Sequence, residues 1–437
     1  MQDKIPMSLP PLVLLYLHKH RINDLKNYLK SLERVSQLQI TLIVSNQTVM
    51  HIDSLLETEH VFAVYNIEKG NEEPVTFTEG AAWYLLWKEF SRSYSRFNSR
   101  YQRALKFFED NKQAVVLTYD DRMPSLISIL KASYKQGVPV FLPAVLTVNP
   151  DINATTSNTL KPKRKIESLV VRLIKRIYPN HVNAQGRLFY AALDYLVLLK
   201  FNALPQKPWV KGTLKYTQKL GVESMLTLQK LLDAGVDENK LELTGMPVYD
   251  LMNFSRDESN RQEMLLCALP QYGEHGAMKR GQALPIIEEI LAAFNCFSGK
   301  VVVSLHPRMD AAVYTPLVEK HGFRCVVGDV DTWLKKASVF FAASSSTTIY
   351  SALMMGVPTV LFNHVPPRSN LFRDFASLTY IEKNASAEIE VALRGSNEEL
   401  VELIKEDQNK LSRSIVTDGH CGLRNVQVIQ QLAKSNR

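Results

Sequence analysis

The stretch FFAASSSTTIYSALMMGVPTVLF (340–362) sets the fold class, because its hydrophobic pattern changes twice along its length. It opens as a continuous apolar run and breaks into five consecutive hydroxyl residues, Ser344 to Thr348. It continues as the helical segment TIYSALMMG and closes, after Gly356 and Pro358, as a second apolar run. Strand, polar loop, helix and strand make a βαβ unit, and strands that are apolar throughout belong to parallel sheets covered on both faces. The same alternation extends outward. The runs LVLLYLH (12–18), QITLIVS (39–45), VFAVY (61–65), AVVLTYDD (114–121) and VPVFLPAVL (138–146) form one series. From about residue 262, EMLLCALP, KVVVSLHP, FRCVVG, SVFFAAS and VPTVLFN form a second. The expectation is an α/β chain of two Rossmann-like domains facing across a cleft, residues 1–258 and 259–437, with the last helix able to cross back. Ligands would bind at the carboxyl ends of the strands.

Composition agrees with an ordinary globular protein. At 437 residues and 46% hydrophobic the chain is long enough for two cores. Lys+Arg 52 against Asp+Glu 44 gives a net charge of +8, which favours phosphate-bearing ligands or an anionic surface. No interleaving of aromatic and basic residues marks a nucleic-acid binder, so no nucleic acid is expected. The cysteines Cys267, Cys296, Cys325 and Cys421 have neither zinc nor disulfide spacing, which fits a reducing, cytoplasmic setting. The apolar run near the N-terminus is too short to span a bilayer and is expected to be the first strand.

One segment departs from the alternation. In NTLKPKRKIESLVVRLIKRIYP (158–179), Ile166, Leu169, Val170, Leu173, Ile174 and Ile177 form an apolar stripe, and Lys161, Lys163, Arg164, Lys165, Arg172, Lys175 and Arg176 surround it with positive charge. Two readings stand: a helix packed on the first domain with a solvated basic face, or a peripheral contact with anionic membrane through Lys161–Arg176.

The loops after the strands carry the chemistry. His306 and Pro307 end KVVVSLHP, where an imidazole can donate to a phosphate, and Arg308 follows with a guanidinium suited to anions. Ser344, Ser345, Ser346 and Thr347 precede a helix, where free N–H groups and hydroxyls favour an anion. Either feature alone has a plainer reading, a His-Pro turn or an N-cap. In LPQYGEHG (269–276), Gly273 permits close approach to a ligand, and Glu274 and His275 offer polar groups. On the first domain, Asp120 and Asp121 end AVVLTYDD as candidate general bases, with helix capping as the alternative. His18 and His20, Arg368, and the pair Asp329 and Asp331 are further candidates. In GMPVYD (245–250), Gly245 and Pro247 would shape a crossing, with Asp250 as a turn or cap residue.

These motifs resemble a known group. SLHPR followed by SSSTT and ALMMGVPTVLF is similar to the nucleotide half of GT-B glycosyltransferases that use CMP-activated sugars, namely sialyltransferases, polysialyltransferases and Kdo transferases. DGHCGLRNVQVI (418–429) is similar to an element of CDP-glycerol-dependent polymerases. GVDENKLELTGMPVYDLM (235–252) and TYDDRMPSLISILKASYKQGVPV (118–140) resemble segments of UDP-N-acetylglucosamine 2-epimerases. The epimerase pattern places an acidic residue after its Gly-x-Pro strand, whereas Gly137, Val138, Pro139 and Val140 lead here to uncharged FLPAVL. The resemblance therefore implies an inverting GT-B transferase that moves an acidic sugar from a CMP-sugar to a glycan or glycolipid of the bacterial surface, capsule or lipopolysaccharide. It implies Asp121 as base and a phosphate held by the His-Pro and serine motifs, with no metal and no cofactor apart from the nucleotide-sugar donor. A UDP-sugar 2-epimerase or hydrolase and a CDP-glycerol-type transferase are the alternatives.

Overall fold

The computed structural model describes residues 7–17, 22–52, 61–68, 82–144, 165–182, 186, 188–251, 262–269, 271–272, 278, 280–307, 309–328, 330–344, 346, 348–364, 372–382, 385–394 and 398–435. The chain divides into two compact units, Met1–Met252 with Ile415–Arg437, and Asn253–Ser414.

In the first unit the strands are β1 (Met7–Ser8), β2 (Leu12–Tyr16), β3 (Ser36–Gln37), β4 (Ile40–Val44), β5 (Val61–Asn66), β6 (Val115–Leu117), β7 (Val140–Leu142), β8 (Lys219–Val222) and β9 (Leu241–Leu243). Seven of them form one sheet in the order β5-β4-β2-β6-β7-β8-β9, every neighbour parallel, while β1 and β3 pair separately. All five residues of β2 are buried, as its unbroken apolar run requires. Helices cover the sheet. In Ile22–Glu33 the buried Leu25, Tyr28, Leu29 and Leu32 recur at helical spacing. Helix Pro124–Lys135 begins on a proline, which suits a first turn, and is followed by Gly137 at φ 75°. Strand β8 escapes a reading by apolar runs because Gly221 interrupts it. A Cβ there would lie 2.7 Å from Thr244 Oγ1 and 3.0 Å from the Ala144 backbone nitrogen, so only glycine allows the close approach.

The second unit has β10 (Met264–Ala268), β11 (Lys300–Leu305), β12 (Arg324–Val327), β13 (Val339–Ala342), β14 (Thr359–Phe362) and β15 (Leu378–Ile381) in the parallel order β12-β11-β10-β13-β14-β15. Its core gathers Leu265, Val303, Phe341 and Phe362 from the strands with Ile287 and Ile290 from helix Arg280–Ala293. In each sheet the strand order reverses beside the first long strand, between β2 and β6 and between β10 and β13, which is the doubly wound pattern. Among the described residues no helix is long and apolar enough to cross a membrane.

The first unit runs to Met252, and the chain re-enters it at Ile415, which bridges to Ser224. The final helix, Cys421–Ser435, contributes Val426, Ile429 and Leu432 to the first core. Asp250 holds its N-terminus: Oδ1 accepts from Cys421 N at 3.0 Å and Oδ2 from Gly422 N at 2.6 Å. The Asp250 carbonyl accepts from Arg34 Nη1 at 2.7 Å, which ties the same turn to the first long helix. Gly245 stands at φ 72°, and a Cβ there would overlap Cys421 Sγ. A cap supplied across 171 residues of chain is thus a long-range clasp. Asp250→Ala is expected to lower unfolding free energy by about 1–2 kcal/mol, with Asp250→Asn losing less, as read by urea denaturation of the full chain.

Candidate functional site

In the second unit the loops after β11, β10 and β13 emerge side by side at the carboxyl edge of the sheet. His306 follows β11 and is exposed, as is Pro307; the His306 carbonyl accepts from Met309 N at 2.8 Å, which closes the turn, and the Met309 side chain is buried beneath it. Ser304 Oγ donates to the Gly328 carbonyl at 3.0 Å, joining the ends of β11 and β12. Ser344 and Ser346 follow β13 and are half-buried. Ser346 Oγ accepts from Thr348 N at 3.3 Å and donates to Thr348 Oγ1 at 3.2 Å, so it caps helix Thr348–Met354 as well as lining the loop. With seven residues that helix adds little dipole, and the hydroxyls and first-turn N–H groups are the donors that matter. At about 4.8 Å between strands, His306 and Ser344 begin roughly 10 Å apart, with the loop of β10 between them, the scale of a nucleoside phosphate.

That middle loop supplies two residues the sequence reading passed over in favour of their glycine-flanked neighbours. Tyr272 Oη donates to the Ala343 carbonyl at 2.6 Å, bracing the loop of β10 against that of β13. Among the described residues Gln271 Oε1 is buried there with no hydrogen-bond partner, an acceptor that an N–H or O–H could complete. His364, just after β14, stacks on Phe362 at 5.2 Å and was likewise passed over, because the apolar run ends one residue before it at Asn363. Asp331 is exposed at the start of helix Val330–Leu334. The candidates Gly273, Glu274, His275, Arg308, Ser345, Thr347, Arg368, Asp329, His18 and His20 lie outside the described residues.

In the first unit Asp120 and Asp121 follow β6, beside β2 at the reversal of strand order. Both are buried, Asp121 completely. Burial by itself would raise the Asp120 carboxyl, but Arg122 overrides it: Nη2 donates to Oδ2 at 2.7 Å, Nε to Oδ1 at 3.1 Å and the backbone N to Oδ1 at 2.7 Å. The result is a carboxyl held well below its usual range. Arg122 also donates to the Trp209 carbonyl at 3.2 Å and lies over the Phe189 ring at 5.5 Å. Asp121 Oδ2 accepts from Gly212 N and from Thr217 Oγ1, each at 3.0 Å, while Oδ1 is buried with no hydrogen-bond partner among the described residues. Burial first, and the Asp120 charge second, push the Asp121 carboxyl up to about 6. Lys211, also buried, donates to the Tyr119 carbonyl at 3.0 Å and adds positive charge near Asp120. The segment KPWVKGTLKYT (207–217) that completes this cluster carries no motif, so only its fold reveals it.

A cavity of about 620 Å³ opens elsewhere in the second unit, lined by Met264, Lys300, Val301, Arg324 and Trp333. These include the first residues of β10, β11 and β12, so it lies at the amino edge of the sheet, opposite His306 and Ser344. Parallel sheets of this class bind at the carboxyl edge, which is where the polar groups converge.

Two parallel, doubly wound units in one chain, each with its polar loops at the carboxyl edge, define the GT-B fold. That fold is shared by glycosyltransferases and UDP-N-acetylglucosamine 2-epimerases. The chain resembles crystal structures of the glycotransferase of kitacinnamycin (14% identity, TM-score 0.56, 97% of this chain and 99% of that one). It also resembles the calicheamicin glycosyltransferase (14%, 0.54, 97% and 98%). A third is a UDP-GlcNAc 2-epimerase from Neisseria meningitidis bound to UDP-GlcNAc (13%, 0.51, 98% and 100%). No family model and no curated protein matches the sequence. Identities at this level carry the fold and leave the substrate to the site.

The raised Asp121 carboxyl has a measurable sign. Its protonated form is favoured in the folded state, so its contribution to stability is fully present below about pH 4 and is lost as pH rises through about 6. The melting temperature of wild type relative to Asp121→Asn, which stays neutral, is expected to fall between those values and to level off above about pH 7. A difference constant with pH would place the Asp121 carboxyl at its ordinary value.

Proposed function

We propose that the protein is an inverting glycosyltransferase that takes an acidic sugar from a CMP-activated donor and adds it to a glycan of the bacterial surface at the cytoplasmic membrane face. The observation that carries this reading is the convergence of His306, Ser344 and Ser346 with the loop of Gln271 and Tyr272 at the strand-order reversal of the second unit. A CMP leaving group carries a single phosphate. The His306 imidazole, the serine hydroxyls and the adjacent N–H groups suffice to bind it without a metal, because they are fixed donors aimed where charge develops. Gln271 Oε1 is suited to accept from a ribose hydroxyl or the cytosine amino group.

In the transfer the acceptor oxygen forms its bond to the anomeric carbon as the bond to the phosphate oxygen breaks, with that electron pair leaving on CMP. The hydroxyl proton passes to a base. Asp121 is the base we assign: a carboxyl pushed up to about 6 suits proton transfer at neutral pH, and its buried Oδ1 has no hydrogen-bond partner among the described residues. A UDP-sugar epimerase or hydrolase is the second reading, favoured by the likeness to a UDP-GlcNAc 2-epimerase over nearly the whole chain and opposed by the uncharged FLPAVL loop.

Titration with CMP, CDP, UMP and UDP separates the two. CMP at a hundredfold excess over its dissociation constant is expected to stabilise the protein by about 2.7 kcal/mol, and His306→Ala and Gln271→Leu to weaken that binding at least tenfold. Stabilisation by UDP alone would move the epimerase reading ahead. For the base, Asp121→Asn is expected to fold and to lower kcat by about 10²- to 10⁴-fold with KM little changed; retained kcat would leave Asp121 a positioning residue.

A further inference from the structure

Helix Lys165–Ile177 does not bury its apolar stripe as a single face. Ile174 is buried, and Val170 and Val171 pack beside it on the first core. Leu169, Leu173 and Ile177 are instead 57%, 58% and 57% exposed. Spaced four residues apart, these three form one ridge along the outer side of the helix, about 12 Å long at 1.5 Å per residue. At 100° per residue, Arg176 and Arg172 fall immediately beside Leu169 on the flank away from the core, with Lys175 behind them. Both arginines are exposed. A ridge of three large apolar side chains bordered by a row of cations is neither a packed face nor a solvated one.

Two neighbouring helices add to the same character. Helix Ala192–Lys200 packs against Lys165–Ile177 and exposes Leu199 next to the exposed Lys200. Helix Ala82–Asp110 packs against Ala192–Lys200 in turn and exposes Trp87, at 61%. Trp87 heads an aromatic row through Phe90 and Tyr94 to Phe201, which holds the indole on a rigid base. Glu89 is exposed beside it, so the positive bias is strongest along Lys165–Ile177.

We infer that this surface docks the protein on an anionic phospholipid bilayer, with Leu169, Leu173 and Ile177 entering the interface and Arg172, Lys175 and Arg176 meeting lipid phosphates. Charge complementarity selects the occupant. A second copy of this chain meeting the same ridge antiparallel across a two-fold would set one arginine row against the other, and a parallel one would leave both rows unneutralised, whereas an anionic surface neutralises them. The inference does not rest on the identity of the donor nucleotide.

The test is co-sedimentation of the full chain with phosphatidylcholine vesicles with and without phosphatidylglycerol, at low and high salt. Binding is expected only to the anionic vesicles and is expected to weaken as salt screens the charges. Leu173→Gln, and separately Arg176→Glu, are expected to lower vesicle affinity at least tenfold while leaving the melting temperature and nucleotide titration unchanged, because these side chains are exposed. Absent vesicle binding, or binding indifferent to both variants, overturns the proposal. So does a dimer in sedimentation velocity that Leu173→Gln dissociates, which would assign the ridge to a second copy.

Discussion

Two carboxylates cannot stand side by side in a dry pocket unless positive charge and hydrogen-bond donors come to them, and the first unit is organised around that requirement. Asp120 is held ionised by a bidentate Arg122, and Arg122 is fixed by the Trp209 carbonyl and the Phe189 ring. Asp121 receives donors from Gly212 and Thr217, which lie more than ninety residues along the chain. The cluster thereby pins the segment before β8 to the end of β6 and builds the carboxyl edge of the sheet. Arg122 is explained by the same requirement: without it a buried pair of acids would not remain in place.

The carboxyl edge of the second unit is built differently. It is assembled from hydroxyls, an imidazole and an amide, with Tyr272 locking two loops together across the reversal of strand order. Donors of this kind suit an anion that brings its own charge, whereas the first unit keeps charges that balance one another internally. The two edges are therefore chemically distinct.

The helix Lys165–Ile177 illustrates how an amphipathic pattern underdetermines packing. Its stripe is broad enough for two partners, and the core takes only the side bearing Val170, Val171 and Ile174. The remaining ridge carries the arginines beside it, so apolar surface and positive charge are displayed together.

Much of the architecture was legible in the chain. Unbroken apolar runs separated by helical segments dictate parallel strands buried on both faces, and β2, β4, β6, β10, β11, β13 and β14 fall within the runs that foretold them. The position of His306, Ser344, Asp120 and Asp121 after strands followed from the same pattern. Strands β8, β9 and β15 did not, because a short strand with a glycine or polar residues has no pattern apart from its neighbours. Nor did the clasp of Asp250 on the final helix, the donors gathered around Asp121, or the choice of which half of an amphipathic stripe is buried. Periodicity is a property of neighbours along the chain, and it determines elements and the loops between them. Partners brought together from distant positions, and the burial that shifts a carboxyl or exposes a ridge, exist only once the chain has closed on itself.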